Sequence, residues 1–462
     1  MRKVKRENDL GRDPVGKLLV RLAVPTVTAQ LVNALYNIVD RMYIGHIEGV
    51  GDLALTGLGV CFPVIMFVSA LSALVGVGGG SRAVVRMGSG DQEGASAILG
   101  SCATLLVILS LVFTLVLQLV KAPMLYLFGA TDNTIGYALD YLSIYLSGTL
   151  FVELSLGLNC FITAQGFSTI GMATVLIGAV TNIILDPIFI FGFGMGVRGA
   201  ALATITAQAV SAVWVVTFLL GKRTRLRLQR RYARLDWKVL APVLALGISP
   251  FIMQSTESLV NIAFNSSLKT YGGDPAVGAM TICSSIMQVF YLLFQGLSQG
   301  AQPIIGYNYG AGNIDRVKKA FRLLFVCALT FSTLACLSIE LFPGVFVAMF
   351  NDKPELVEIA VWTLRVYAGG MFMLGVQNAC QQTFVALGQA KISLFLALLR
   401  KIILLIPLIL ILPHFLSNQV LAVFLAEPAA DVLAALVTGS LFFWRFPRLL
   451  RTREAELRQT NG

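Results

Sequence analysis

Two carboxylates stand inside sequence that is otherwise apolar. Asp40 sits near the far end of an apolar run that opens around Leu18, and Asp186 lies deep inside another, with Asn182 one helical turn before it. A carboxylate at the centre of a membrane-spanning helix costs about 2.5 to 3.5 kcal/mol on the most lenient insertion scale, so a chain that keeps two of them uses them for an ion or a proton. On a helix, Asn33, Tyr36, Asn37 and Asp40 share one face by i, i+3, i+4, i+7 spacing, and Asn182 and Asp186 stack at i, i+4. Pro187 has no amide hydrogen, which frees the carbonyl of Ile183 beside that face. Thr204 and Gln208, again four apart, add two more oxygens. The result is a pocket of hard oxygen ligands suited to a proton or a sodium ion. Two carboxylates crowded into it repel each other until a proton or cation enters.

Other chemistries find less support. The seven cysteines fall within apolar runs, form no CxxC pair and are odd in number, so they read as small packing residues. His46 and His414 are the only histidines and lie in separate loops, which leaves a zinc or haem enzyme without ligands. The run Gly76, Gly78, Gly79, Gly80 ends an apolar helix and follows no strand, so it is a packing or hinge segment and not a phosphate loop. No cofactor and no enzymatic activity are expected.

The elements that must position these residues are membrane helices. With 56% hydrophobic and 13% charged residues and a mean hydropathy of +0.79, the chain is an integral membrane protein. Runs long enough to cross the bilayer recur at 18–43, 53–80, 96–119, 137–161, 169–193, 199–220, 239–267, 276–302, 320–342, 357–385, 392–412 and 419–444, twelve in all. The first is too long for a signal sequence and no small-residue cleavage site follows it, so it is read as a retained span.

A net charge of +11 does not mark a nucleic-acid binder, because most of the 35 Lys and Arg fall in alternate loops. They include Arg2, Lys3, Lys5 and Arg6 before the first span, the run from Lys222 to Lys238, and the tail from Arg445 to Arg458. The positive-inside rule then puts both termini in the cytoplasm of a multi-pass plasma-membrane protein, with basic loops against lipid headgroups. No nucleic-acid partner is expected, and nothing in the sequence calls for more than a monomer.

The chain is also duplicated. Pro25 aligns with Pro250, Gly88-Ser-Gly90 with Gly310-Ala-Gly312, Ala164-Gln165-Gly166 with Ala386-Leu387-Gly388, and Pro187 with Pro407, in order and at an offset of about 220 to 225 residues. Six spans per half keep one orientation, so the fold class is all-α, with two six-helix lobes related by a pseudo-two-fold axis along the membrane normal. Residues 1–220 form one lobe, 221–238 a basic cytoplasmic linker and 239–462 the second lobe with its basic tail. The acids break the symmetry, since Asn182 and Asp186 face Ile402 and Ile406 in the repeat, and Asp40 faces only Asn265.

The ordered set of Pro25, Leu35-Tyr36-Asn37-Ile38-Val39-Asp40, the glycine segments, Asn182 with Asp186-Pro187, and Gly199 to Thr204 resembles the multidrug and toxic compound extrusion (MATE) family, in its DinF/MepA-like branch. The resemblance implies a cation-coupled multidrug efflux antiporter that exports amphipathic organic cations in exchange for protons or sodium ions by alternating access. It places the cation site at Asp40, Asn182, Asp186 and Thr204, with Tyr141 nearby and Asn37 on the Asp40 face, and hinges at Pro25 and Pro187. One departure concerns the second lobe. Glu257 matches a coupling acid of the NorM-like branch, but the companion acid is here Gln377, beside Asn378. Glu427 and Asp431 occupy the repeat positions of Thr204 and Gln208, so with Glu257, Gln377 and Arg400 they are candidates for the substrate path. Arg400 and Lys401, inside the eleventh span, are expected to pair with acids or line the cleft. A lipid-linked oligosaccharide flippase of related architecture is the alternative, and it requires a cavity lined with cations.

Overall fold

The computed structural model describes residues 8–350 and 354–461; Arg2, Lys3, Lys5, Arg6 and both ends of the expected domain limits, 1 and 462, lie outside them. Among the described residues the secondary structure is helical throughout. In the first half, α1 (Val15–Gly45), α2 (Gly51–Gly88) and α3 (Gln92–Leu127) are followed by α4 (Ile135–Ser147), α5 (Thr149–Ala164), α6 (Ser168–Pro187) and α7 (Val197–Leu220). The second half contains α8 (Trp237–Gly310), α9 (Ile314–Leu341), α10 (Pro343–Ala348), α11 (Pro354–Ala368), α12 (Met371–Ala386), α13 (Ala390–Leu398), α14 (Ile406–Ile411) and α15 (Gln419–Asn461). Two π-helical stretches flank the repeat-related prolines from opposite sides, Ile188–Gly192 directly after Pro187 and Leu399–Leu405 just before Pro407.

Length resolves these helices into twelve crossings. At 1.5 Å per residue the 74 residues of α8 would reach about 111 Å, several times a hydrocarbon core of about 30 Å. Its path breaks at Gly273, whose φ of 66° is open to glycine and strained for other residues, so α8 supplies the seventh and eighth spans. The fourth and tenth spans, expected as single helices over 137–161 and 357–385, are each two helices, bent by 58° between α4 and α5 and by 43° between α11 and α12. Glycines permit the bends. A Cβ on Gly148 would lie 2.4 Å from the Ile205 side chain, and one on Gly370 would lie 2.6 Å from the Pro428 backbone. Several helices also outrun their apolar cores. The twelfth continues through the basic tail, where Arg453–Glu456 and Arg458–Glu454 pairs support it, because hydropathy marks the hydrocarbon layer and not the helix end.

The duplication is written into the backbone. Gly90 and Gly312, and likewise Gly166 and Gly388, are repeat partners that share a positive φ at the same helix-to-helix turn.

The lobes meet along α1 and α2 of the first and α8 of the second. Gly300 packs on Ala23, Gly296 on Val27, Gly247 on Leu74 and Gly78 on Val243, so that backbones touch where larger residues would hold them apart. The repeat partners Gly88 and Gly310 face Tyr307 and Val85 of the opposite lobe in the same way. Thr26 Oγ1 donates to the Gly296 carbonyl at 2.6 Å, and Gln30 and Gln299 join at 3.3 Å. All of these contacts lie in the helix halves nearest the 221–236 segment. That segment is itself tied to the first lobe: the Gln165 side-chain oxygen accepts from the Thr224 hydroxyl at 2.9 Å and the Leu226 amide at 2.7 Å.

Candidate functional site

α6 and α7 pack side by side, and their facing turns bring together the polar residues of the first lobe. Asp186, Asn182 and Thr204 are 0%, 2% and 7% exposed, and Asp40 of α1 is 7% exposed. The Thr204 hydroxyl gives its proton to the Ala200 carbonyl at 3.0 Å, which leaves its lone pairs turned toward Asn182. The Asn182 amide then donates to Thr204 Oγ1 at 3.4 Å and to Asp186 Oδ1 at 3.3 Å. Asp40 lies beside Asp186; the Tyr36 phenol stands near both acids, and that of Tyr141 near Asp40 and Thr204.

What this arrangement leaves over defines its chemistry. Asp40 Oδ1, Asn182 Oδ1 and Asp186 Oδ2 are all buried without a hydrogen-bond partner. All three are acceptors, so the cluster lacks positive charge or protons, not further acceptors. Unpaired buried oxygens are costly in an apolar medium. Hard oxygens at this density fit a sodium ion or a proton shared between the carboxyls.

The acids are not neutralised by the nearest arginines. Arg41 lies over the Phe62 ring with its guanidinium carbon 5.6 Å from the centroid, and Arg198 pairs with Asp140 at 2.8 Å. Two neighbours named from the sequence stand outside the cluster. Asn37 is exposed, and its amide turns back along α1 to the Asn33 carbonyl at 2.7 Å, because a residue three before Asp40 lies at the edge of that helical face. Gln208 Oε1 instead accepts from the Ser155 hydroxyl at 2.5 Å. α1 runs helically through Pro25, whereas Pro187 is the last α-helical residue before the π-helical stretch Ile188–Gly192.

The second lobe holds a different centre. Arg400 donates through Nε to Asp431 at 2.7 Å and through its terminal nitrogen to Glu427 at 3.0 Å, with the three side chains 12%, 1% and 9% exposed. Next to it Lys401 pairs with Glu257 and donates to the Met253 carbonyl at 3.2 Å. Both cations come from the π-helical stretch Leu399–Leu405, whose wider turn carries adjacent residues toward α8 and α15. Gln377 is buried with its side-chain oxygen unpartnered, and it lines a small cavity with Asn378, Gln381, Met253, Arg400 and Lys401. Four of the five substrate-path candidates are thus a salt-bridge network or stand at its edge, and Gln377 faces it across the cavity.

One buried acid escaped the sequence reading. Glu153, a turn into α5, is 0% exposed and both its carboxylate oxygens are without partners. Its signal was as plain as that of Asp186, an acid in an apolar run, but it has no polar companion at helical spacing.

Comparison with known proteins identifies the family. The MatE family model matches residues 25–188 and 250–411, one match in each half. The chain is similar to the multidrug export protein MepA of Staphylococcus haemolyticus, 26% identical over 92% of this chain and 93% of that protein. Among solved structures it resembles the MATE multidrug transporter DinF-BH in complex with R6G, 34% identical with a TM-score of 0.88 over 97% of this chain and 99% of the other. It also resembles a MATE crystal structure in the bent conformation, 25% identical with a TM-score of 0.90 over 96% and 98% of the two chains. With both halves matched and the fold shared end to end, this chain belongs to the MatE family of membrane transporters.

Proposed function

We propose that this MATE transporter exports amphipathic organic cations in exchange for protons, with the Asp40–Asp186 cluster as the coupling site. Multidrug export is the activity its relatives share; antiport, the cationic substrate and the proton are the finer reading. The observation that carries it is the trio of buried, partnerless acceptors at Asp40, Asn182 and Asp186, two of them carboxylates, a site that calls for protons or a small cation. Lobes 1–220 and 239–462, joined by the basic linker 221–238, rock about the glycine contacts of α1, α2 and α8. Both termini and the linker are cytoplasmic, and the membrane is the plasma membrane. The glycine contacts close the lobes on the side of the 221–238 linker, the cytoplasmic side in this reading, which leaves the opposite side for the substrate cleft to open outward. Proton entry from outside neutralises the cluster, and Pro187 with its π-helical continuation is the hinge best placed to feel that change. The flippase alternative needs free cations in the cavity, whereas Arg400 and Lys401 are each held by acids.

The test is efflux of ethidium from cells producing the protein. Asp40→Asn and Asp186→Asn should each abolish it at parental protein levels. Undiminished pumping by both variants would remove the first-lobe site.

A further inference from the structure

We propose that Glu153 is a second proton-holding site of the first lobe, connected to the Asp40–Asp186 cluster through Tyr145 and Tyr141. The site is a fully buried carboxyl with two partnerless oxygens. A bare carboxylate so placed would cost several kcal/mol with no compensating charge. α2, α3, α4, α6, α7 and α8 pack around α5. Of their side chains, the Ser72 hydroxyl of α2 and the Tyr145 phenol of α4 lie beside Glu153, and among the described residues no lysine or arginine forms an ion pair with it. The side chain therefore sits there as the neutral acid, with its proton on one oxygen and Ser72 beside the other.

Its position gives that proton somewhere to go. Tyr141 and Tyr145 are one helical turn apart on α4 and stack with ring centroids 6.1 Å apart, 3% and 4% exposed. Tyr141 stands against Asp40, and Tyr145 lies within electrostatic reach of both Tyr36 and Glu153. Glu153 follows Tyr145 by eight residues across the 58° bend between α4 and α5, and helical side chains slant toward the N-terminus, so the carboxyl is turned back toward that bend. The two tyrosines are thus a row of hydroxyls between a lone neutral acid deeper in the lobe and the paired acids nearer its outer end. Moving a proton along the row changes no covalent framework: one O–H bond breaks as the next forms.

The relay's part in transport rests on the proton-coupled reading above, but the site itself can be measured without substrate or gradient. In infrared spectra of the purified full-length protein at pH 7, the C=O band of a protonated carboxyl should be present in the parent and in Asp40→Asn. Its intensity should fall in Glu153→Gln, which mimics the neutral acid in shape and leaves only the contribution of the Asp40–Asp186 pair, and the lost component should return in shifted form in Glu153→Asp. On transfer to D2O the parent band should shift promptly as the acid deuterates, and Tyr145→Phe should slow that shift about a hundredfold or more, the scale of effect a positioned proton carrier contributes. A band of equal intensity in Glu153→Gln would overturn the site. Deuteration at the parental rate in Tyr145→Phe would overturn the connection.

Discussion

Arg400 and Asp431 are locked by a 2.7 Å charge-assisted hydrogen bond inside the second lobe, while the other arm of the same guanidinium holds Glu427 at 3.0 Å. The fork geometry matters. A planar guanidinium serves two carboxylates at once, which an ammonium does not. Even so, Glu427 Oε2 and Asp431 Oδ2 are left without partners, so two acids share one arginine.

Removing that arginine should therefore destabilise the lobe by about 3 to 5 kcal/mol, the usual cost of stranding a buried charge. Arg400→Met is expected to lower the thermal midpoint of the detergent-purified protein strongly, and Arg400→Lys to recover only part of the loss. Restored stability in Arg400→Met/Glu427→Gln/Asp431→Asn would confirm that the acids are the reason. A single Arg400→Met variant as stable as the parent would show that the network carries no structural load.

Much of this was legible in the sequence, and the exceptions have physical causes. Twelve spans, the duplication and the acids of the first-lobe cluster follow from hydropathy, glycine spacing and i, i+4 patterns, all of which are local. The bends between α4 and α5 and between α11 and α12 were not legible, because Gly148 and Gly370 permit them only against Ile205 and Pro428 from distant helices. The pairing of Arg400 with α15 and Lys401 with α8 depends on a π-helical stretch that apolar periodicity does not encode. Asn37 illustrates the opposite error: helical spacing placed it near the Asp40 face, but a bond to its own helix turns it outward.

Closure of the lobes rests on small residues, and one substitution should prop it open. A Cβ on Gly247 would lie 1.8 Å from the Leu74 carbonyl oxygen, a contact that no rotamer change relieves. Gly247→Val should abolish efflux and should make a cysteine at Ala23, buried in the parent, reactive toward maleimide in inside-out vesicles. Parental efflux together with continued protection of Ala23→Cys would show that closure does not depend on this contact.

Orientation is testable with single cysteines in a background lacking the seven native ones. Arg227, Gln459 and Glu48 are all exposed, so accessibility depends only on the side of the membrane. Cysteines at Arg227 and Gln459 should resist an impermeant maleimide added to intact cells, and one at Glu48 should react. Asp352, on the same expected side as Glu48, lies outside the described residues and serves as a second outer probe. Labelling at Arg227 from outside would overturn the inside-inside arrangement.

The coupling ion is the sharpest question, and the two lobes bear on it differently. The first-lobe cluster offers two carboxylates, Asn182 Oδ1 and Thr204 Oγ1, oxygens that suit either ion. In the second lobe Glu257 is occupied by Lys401, and Gln377 stands where a companion acid would be, so no vacant acid pair is available there for an obligatory sodium ion. Protons are therefore expected to suffice. In proteoliposomes without sodium, an imposed pH gradient alone should drive movement of a cationic dye, and Asp40→Asn should lose that response. Because the membrane potential adds about 2.3 kcal/mol per net charge per 100 mV, the assay must clamp the potential with potassium and valinomycin before the gradient is applied. Dye movement that follows a sodium gradient at symmetric pH, and ignores a pH gradient in sodium-free buffer, would assign sodium to the same oxygens and leave the antiport reading in place.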